Sequence, residues 1–484
     1  MSFLSAPTSR AVVAVAVLTT LGACTMMPAY DRPGLPVAAQ YPTGAEPSGS
    51  PTDDRAAADI GWREMFPDPV LQALIATALE NNRDLRIAAL NVETARAAYR
   101  IQRAELLPRL DAVAASTAQR TPEALLAPGA PEIARAYSAS VAATAWEVDL
   151  WGRVRSLNAQ ALADYLSREE ARQGAELSLV AEVANAYLTL RADQATLRLA
   201  DETVRAQQRS VDLTRELVDA GQAGGLDLRQ AEIALRAAES DRSLYGRRAA
   251  QDRNALVLLL GAPLSQELSS ALGDAGALPD DLGVGRLPAG APSSLLERRP
   301  DVRAAEQDLL AANAGIGAAR AAFFPSLTLT GSGGTASSSL DDLFASGTGA
   351  WSFAPRIALP LFNGGALRAS LDRSELLKQI EVARYERTIQ VAFREVSDGL
   401  AGQATFDEQI AVEILRVAAS HEAHDLAMRR YEAGEDSYLA VLDAQRSLYG
   451  AEQSLIRTRL ARLSNQVTLY KALGGGWTKI GEAG

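Results

Sequence analysis

The second half of this 484-residue chain repeats the first. Val218 to Glu239 (VDAGQAGGLDLRQAEIALRAAE) recurs without a gap 213 residues later, as Tyr431 to Glu452 (YEAGEDSYLAVLDAQRSLYGAE). Ala220, Gly221, Leu226, Ala231, Leu235, Ala238 and Glu239 meet Ala433, Gly434, Leu439, Ala444, Leu448, Ala451 and Glu452. A solenoid unit runs to roughly 20–50 residues, so this is a different device. It is a duplicated half-molecule, and each structural element must be read twice.

Proline and glycine punctuate both copies in the same way. No Pro lies between Trp151 and Pro263, so residues 152–220 can form one helix. Such a helix is about 100 Å long at 1.5 Å per residue. Gly221 suits the left-handed position that ends it. A return helix then runs from Leu226 to about Leu260, before Gly261-Ala262-Pro263. The second copy predicts a helix from about Ala366 to Ala433, a turn at Gly434 and a return from Leu439 to about Leu473. Val183, Leu190, Leu197, Val204, Val211 and Val218 recur every seven residues. That spacing implies a left-handed supercoil seam. The facing positions Tyr187, Gln194, Asp201, Gln208 and Arg215 make it partly polar, which suits helices arranged around a wet interior. In the second copy Val396, Ile410, Val417 and Tyr431 keep the phase, interrupted by Gln403 and His424. Upstream, Asp68 to Leu107 reads as helix up to Pro108, and Ser294 to Phe324 as helix up to Pro325. The repeats therefore span 61–263 and 294–473, with a linker over 264–293 and a tail over 474–484. The helix-hairpin tips fall near 221–226 and 434–439.

Composition adds exclusions. Net charge is −11 with no Lys/Arg cluster, which argues against nucleic acid as a partner. The single cysteine, Cys24, permits no internal disulfide. It follows Arg10, an apolar run from Ala11 to Leu21 and the small residues Gly22-Ala23. Residues 1–23 thus read as a signal peptide, too short to span stably as a helix. The segment resembles a bacterial lipobox, whose Cys carries covalent lipid and becomes the first mature residue. By the same resemblance, Asp after the Cys would favour inner-membrane retention; Thr25 stands there and points to the outer membrane. Residues 24–60, rich in Pro, Gly, Ser and Asp, read as a lipid-anchored, extended linker.

The mature sequence has no run of 18 apolar residues, so if it crosses a membrane it does so as a β-barrel. Strands are predicted over 326–335 and 350–361: Ser326 to Thr330 alternates cleanly, and so does Trp351 to Leu361, with Trp351, Phe353, Ile357, Leu359 and Leu361 on one side. The corresponding segments 109–119 and 136–148 alternate poorly. Pro355 falls inside a predicted strand. Four strands of about ten residues suit a tilted membrane span but cannot close a barrel. An open edge cannot face lipid, so closure demands further copies. Two copies give eight strands, whose interior fills with side chains; three give twelve and leave a passage.

At this point the residues resemble a family, the TolC-like outer-membrane factors of the OprM and NodT lipoprotein group. The most specific stretches are Glu297-Arg298-Arg299-Pro300-Asp301-Val302-Arg303-Ala304-Ala305-Glu306, Phe323-Phe324-Pro325-Ser326-Leu327, Leu359-Pro360-Leu361-Phe362-Asn363-Gly364-Gly365 and Tyr438-Leu439-Ala440-Val441-Leu442-Asp443-Ala444-Gln445. The resemblance implies an α+β membrane protein. Its trimeric 12-stranded transmembrane β-barrel, with four strands per chain, is continued by a long α-helical coiled-coil tunnel in the periplasm. It implies a passive channel on which a periplasmic adaptor and an inner-membrane RND-type pump dock. By that resemblance Leu439 aligns with an apolar ring sealing the periplasmic tip and Asp443 with an acidic constriction. The repeat puts Leu226 and Gln230 at the matching points. The family's second tip Asp is replaced by Ala440 here, whose first-copy counterpart is Asp227. The expected gate is Leu439, Asp443, Asp227 and Tyr438, with Gly221 and Gly434 shaping the turns where an adaptor docks. Asp227 and Asp443 have a plainer reading as solvated helix-face acids.

Trp146, Trp151 and Trp351 lie near predicted strand ends, as aromatics of a membrane interface do. His421 and His424, the only histidines, have i, i+3 spacing on one helix face, but no further ligand follows and no metal is expected. Gly283-Val284-Gly285 and Gly474-Gly475-Gly476 lack the strand–helix context of a phosphate loop. With no nucleophile constellation, the reading is a transporter component with no cofactor beyond lipid on Cys24. Type I protein secretion uses the same fold and stays open, as does a lipid-anchored periplasmic scaffold.

Overall fold

The computed structural model describes residues 25–39, 41, 60–129, 131–273, 278–279 and 298–475. The signal segment, Cys24, residues 294–297 and residues 476–484 lie outside the described residues, and the helix expected over Ser294–Phe324 runs from Pro300 to Ala321. The chain divides into two compact units, and each takes segments from both sequence halves. One comprises residues up to Gly34, Asn91–Glu169 and Ala304–Tyr385; the other comprises Leu35–Leu90, Glu170–Arg303 and Glu386–Gly484.

In chain order the elements are α1 (Trp62–Met65), α2 (Pro69–Asn81), α3 (Arg83–Ala104), β1 (Leu110–Arg120), β2 (Ile133–Val148), α4 (Arg153–Asp219), α5 (Gly225–Leu260), α6 (Gln266–Gly273), α7 (Pro300–Ala321), β3 (Ser326–Ser337), β4 (Gly349–Ala358), α8 (Ala366–Glu432) and α9 (Tyr438–Ala472). α4 and α8 are each 67 residues long, about 100 Å of helix. No helix among the described residues is long and apolar enough to cross a membrane.

Three expectations change. The helix read over 68–107 is two helices, because Asn82 leaves helical geometry (ψ 133°). Its Oδ1 accepts from Leu85 N–H at 2.9 Å and its Nδ2 donates to the Leu259 carbonyl at 2.8 Å. The 264–293 linker contains α6, whose Leu272 is buried. The extended linker is docked where it is described. Met26 N–H donates to the Trp151 carbonyl, Asn313 Nδ2 donates to the Pro28 carbonyl at 2.9 Å, and Arg32 makes a two-pronged pair with Glu306 at 2.7 and 2.8 Å. Further along, Tyr41 stacks on Phe393 with ring centres 4.8 Å apart.

The four strands form one antiparallel sheet in the order β1-β2-β3-β4, so β1 and β4 are its edges. Pro355 sits on edge strand β4, where a missing N–H costs least. The register explains why β2 alternates poorly in sequence. Ala139, Val141 and Ala143 oppose Thr335, Gly333 and Gly331, and after an irregularity Trp146 and Val148 oppose Leu329 and Leu327. Ala145, at φ 52°, absorbs the extra residue and donates its N–H to Thr330 Oγ1 at 3.1 Å. Such a bulge reverses side-chain parity. It keeps Trp146 and Val148 on the face that Val141 occupies. Across the sheet this face gathers Leu110, Ala112, Val141, Trp146, Leu327, Leu329, Trp351, Phe353 and Ile357. The opposite face carries Asp111, Ser138, Ser140, Glu147, Thr328, Ser332, Ser352 and Arg356. Trp351 is 81% exposed and Ile357 73%, so the apolar face is uncovered by the chain itself.

The second unit has a conventional core of Phe66, Leu71, Leu74, Ile75, Val183, Leu188, Leu190, Leu256, Leu260, Leu463, Val467 and Tyr470. The heptad seam is buried at Val183, Leu190 and Val211, whereas Gln208 and Arg215 point to solvent. Arg299, of the Arg298-Arg299-Pro300-Asp301 stretch, is the buried polar node. It donates to the Ala472 carbonyl at 2.7 Å and pairs with Asp301 and Glu395, both at 2.8 Å. Those acids hold its guanidinium charged despite burial.

One close approach in the sheet is sharply testable. A Cβ on Gly334 would meet the Ala139 carbonyl oxygen at 2.1 Å, while one on Gly333 would meet nothing within 4 Å. Gly334→Ala is therefore expected to lower stability in detergent by about 1–3 kcal/mol. Gly333→Ala is expected to shift it by less than about 0.5 kcal/mol. Urea unfolding midpoints of the two variants check the contrast.

Candidate functional site at the hairpin turns

The two hairpin turns share one backbone geometry. Gly221 and Gly434 both have φ 71°, a left-handed conformation that costs glycine nothing. Gln222 N–H donates to the Leu217 carbonyl at 2.8 Å and Glu435 N–H to the Arg430 carbonyl at 2.9 Å. Gly221 N–H reaches the Val218 carbonyl at 3.0 Å and Gly434 N–H the Tyr431 carbonyl at 2.9 Å. This is the paired-bond C-terminal cap that satisfies the last helical carbonyls. Each following helix opens with the same bond, Asp227 N–H to the Gly224 carbonyl and Ala440 N–H to the Ser437 carbonyl, both 3.1 Å.

Side chains make the turns unequal. In the first, the Asp227 carboxylate accepts from Gly224 N–H at 3.2 Å and caps its own helix. In the second, Ser437 gives no side-chain cap, and Arg430 Nε instead donates to Asp436 Oδ2 at 2.6 Å across the turn. Opposite charges six residues apart around Gly434 are the sequence signal for that pair.

Helical spacing then sorts the expected gate residues. On α9, Leu439 is 57% exposed and Asp443 is exposed one turn on, so both lie on an open face. No hydrogen bond or ion pair engages the Asp443 side chain among the described residues. Leu226, the counterpart of Leu439, is 71% exposed. Tyr438 departs from expectation. It is fully buried, and its rotation about the helix places it with Val441 and Leu442 rather than with Leu439. It belongs to a core built from both hairpins: Val211, Ala231 and Leu235 of the first, Tyr431, Tyr438, Val441 and Leu442 of the second. Its hydroxyl lies 2.8 Å from that of Ser210, itself buried on α4. Burial pushes the Tyr438 hydroxyl pKa up, and nearby Tyr431 and Asp227 add to the effect. Ser210 went unread in the sequence, because a serine inside a long helix carries no signal of its own.

The histidines form no ligand set. His421 and His424 Nδ1 lie 3.4 and 3.7 Å from Asp425, and no group of three ligating residues occurs among the described residues. Of the aromatics, Trp151 Nε1 donates to the Pro325 carbonyl at 2.8 Å and its ring stacks on Phe324. Trp351 opposes Gly333 on β3, the strand that follows Pro325. Pro325 and Gly333 are about 26 Å apart along the chain at 3.3 Å per residue. Trp146 pairs with Leu329, between them.

A family model described as outer membrane efflux protein matches residues 74–262 and 291–475 of this chain. The chain belongs to the outer membrane efflux protein family. It is 50% identical over 458 residues to the toluene efflux pump outer membrane protein TtgC of Pseudomonas putida, covering 94% of this chain and 93% of that one. A solved membrane protein from Pseudomonas aeruginosa superposes with a TM-score of 0.85 at 41% identity, covering 93% of this chain and all of that one (100%). The open-state MtrE outer membrane channel of Neisseria gonorrhoeae superposes at 0.84 and 39% identity, covering 94% and 99%. The protein is thus an outer-membrane efflux channel component, with the helical and β domains of solved channels of this kind.

Outside the turns, one electrostatic feature of this efflux protein predicts a pH effect. Asp193 on α4 faces Asp252 on α5, and burial together with the Asp193 charge raises Asp252 from 3.8 to about 6. The folded state therefore keeps a proton that the unfolded chain loses first. Stability falls as pH rises from about 4 to about 6. Asp252→Asn is expected to remove that fall and to raise the thermal midpoint near neutral pH. Circular dichroism melts across the range check it.

Proposed function

We propose that three copies of this chain close a 12-stranded β-barrel and a helical tunnel, forming the passive exit duct of a tripartite efflux system. The observation that carries this reading is the pair of open sheet edges, β1 and β4, flanking a sheet with one exposed apolar face. In hydrocarbon every backbone donor and acceptor needs a partner, so such edges must be paired by another copy. Twelve strands leave a passage, whereas eight fill with side chains.

The repeat supplies the register of that closure. Pro108 and Pro325 align β1 with β3, and Leu150-Trp151 aligns with Leu361-Phe362 at the ends of β2 and β4. Within the chain Trp146, Glu147 and Val148 oppose Leu329, Thr328 and Leu327. Transferring this pattern sets Ile357, Ala358 and Leu359 against Ala112, Asp111 and Leu110 of the neighbouring copy. Parity agrees: Ile357 and Leu359 then share the apolar face with Ala112 and Leu110. Trp351 at one end and Trp151 with Phe324 at the other serve as the interfacial aromatics. Trp146 lies between these levels and serves the lipid face instead.

Lipid on Cys24 anchors the mature chain, and the docked segment from Thr25 onward leads from it. At the tip, Leu439 forms the apolar seal and Asp443 the acidic ring of three, with a lesser contribution from Asp227, which is partly committed to its cap. Gly221 and Gly434 shape the turns on which a periplasmic adaptor docks, and an inner-membrane RND-type pump supplies the energy. Small molecules such as drugs, toxic compounds or metals are the cargo. The 50%-identical relative is a toluene efflux pump protein, which favours small-molecule efflux over protein secretion. A periplasmic scaffold would leave the apolar sheet face without a purpose.

Two outcomes are expected. Leu439→Ala and Asp443→Ala should each raise single-channel conductance in planar bilayers over the unmodified protein. Ala358→Cys combined with Asp111→Cys should give oxidised, covalently linked oligomers on denaturing gels. Ala358→Cys with Ala115→Cys, four residues out of register, should not.

A further inference from the structure

The apolar face of the sheet carries charge at one end alone. Arg120 and Arg135 are the only charged residues on that face of the four strands among the described residues. The strands join α3, α4, α7 and α8 at their Leu110, Val148, Ser326 and Ala358 ends, and both arginines sit at the opposite, loop end. Arg120 Nε donates to Glu132 Oε1 at 2.6 Å. Arg135 is exposed, and no hydrogen bond or ion pair engages its guanidinium among the described residues. On a surface that faces lipid, an unpaired guanidinium needs a counter-ion.

The closing register brings an aromatic beside these cations. β1 spans Leu110–Arg120 and β4 spans Gly349–Ala358, so the two edges are nearly equal in length. β4 pairs with β3 without irregularity and shows no parity switch of the kind at Ala145. Continued from Leu359 against Leu110, the register sets Phe353, Trp351 and Gly349 against Ser116, Ala118 and Arg120 of the neighbouring copy. Within one chain those three already oppose Tyr137, Arg135 and Ile133. Neighbouring strands lie about 4.8 Å apart, so Trp351 of one copy stands about 10 Å from Arg135 of the next, across Ala118. Ala118 and Gly349 are small and leave a shallow seat between the long side chains.

We propose that Arg135 and Arg120 of one copy and Trp351 of the next form a seat for the phosphate of an outer-leaflet lipid headgroup, one at each seam of the barrel. This rests on the barrel reading above, which puts the loop end of the strands in the outer leaflet. Arg135 takes the phosphate through two N–H donors, as a planar guanidinium does. Arg120 adds a second positive charge, partly offset by Glu132. Trp351 packs at the boundary between headgroup and acyl chain, where an indole suits both sides. Because two copies build the seat, a bound lipid also stabilises their association.

Full-length protein in detergent, titrated with bisphosphorylated lipid A and followed by native mass spectrometry, tests the proposal. Arg135→Gln is expected to weaken lipid A binding about ten- to hundredfold, the size of a charged hydrogen bond. Trp351→Ala should weaken it about three- to tenfold. Arg135→Lys, which keeps the charge, should retain most of the binding. Arg356→Gln, on the opposite face of the sheet, should bind like the unmodified protein. Unchanged binding in Arg135→Gln, equal binding of lipid A stripped of its phosphates, or equally tight binding of inorganic phosphate would each overturn the lipid seat. The Ala358→Cys and Asp111→Cys crosslink separates the two ideas. If it forms while Arg135→Gln binds lipid A unchanged, the barrel stands and the seat falls; if it does not form, the seam itself fails.

Discussion

The structure depends on a rule about backbone hydrogen bonds at the edges of a sheet. β1 and β4 each present a row of unpaired donors and acceptors, and one face of the sheet is apolar and exposed. Water could satisfy such edges, but a lipid-facing sheet has no water to do so. On the barrel reading proposed above, the single chain is therefore incomplete as a membrane element. The bulge at Ala145 belongs to the same problem, because it keeps Trp146 and Val148 on the lipid-suited face where a regular strand would have turned them inward. The polar face, with Asp111, Glu147 and Arg356, suits a wet interior.

The helical part is built on a different device, a pair of long hairpins with one turn geometry. Proline-free helices of 67 residues give the length, and identical glycine caps turn them. Duplication made the caps equal, but divergence made the tips unequal. The first hairpin spends its acid on its own N-terminus, while the second leaves Asp443 unengaged and buries Tyr438 against the first. A pseudo-symmetric frame thus carries two unequal tips.

Much of the candidate site was legible in the sequence because its signals are local. Leu439 and Asp443, four residues apart on a helix following a glycine turn, must share a face. Tyr438 was misread for the converse reason. Which side of α9 meets the first hairpin depends on Ser210, Val211 and Leu235, more than two hundred residues away. The Asp68–Leu107 segment shows the same limit. Its apolar spacing is helical throughout, yet Asn82 breaks it by bonding to the distant Leu259 carbonyl. The Pro- and Gly-rich composition after Cys24 suggests a loose linker, but Arg32 and Asn313 fasten it through contacts that composition cannot register.

The sequence by itself determined the duplication, the long hairpins and their glycine turns, and the inability of four strands to close alone. Those follow from periodicity, from where proline and glycine permit helices to stop, and from the count of strands, all of which are properties of short stretches. Tertiary structure decided the register of β2 on β3, the parity switch at Ala145, the docking of the N-terminal segment and the burial of Tyr438. Each of these is a choice among alternatives of similar local energy. The choice is settled by hydrogen bonds and apolar contacts between residues far apart in the chain.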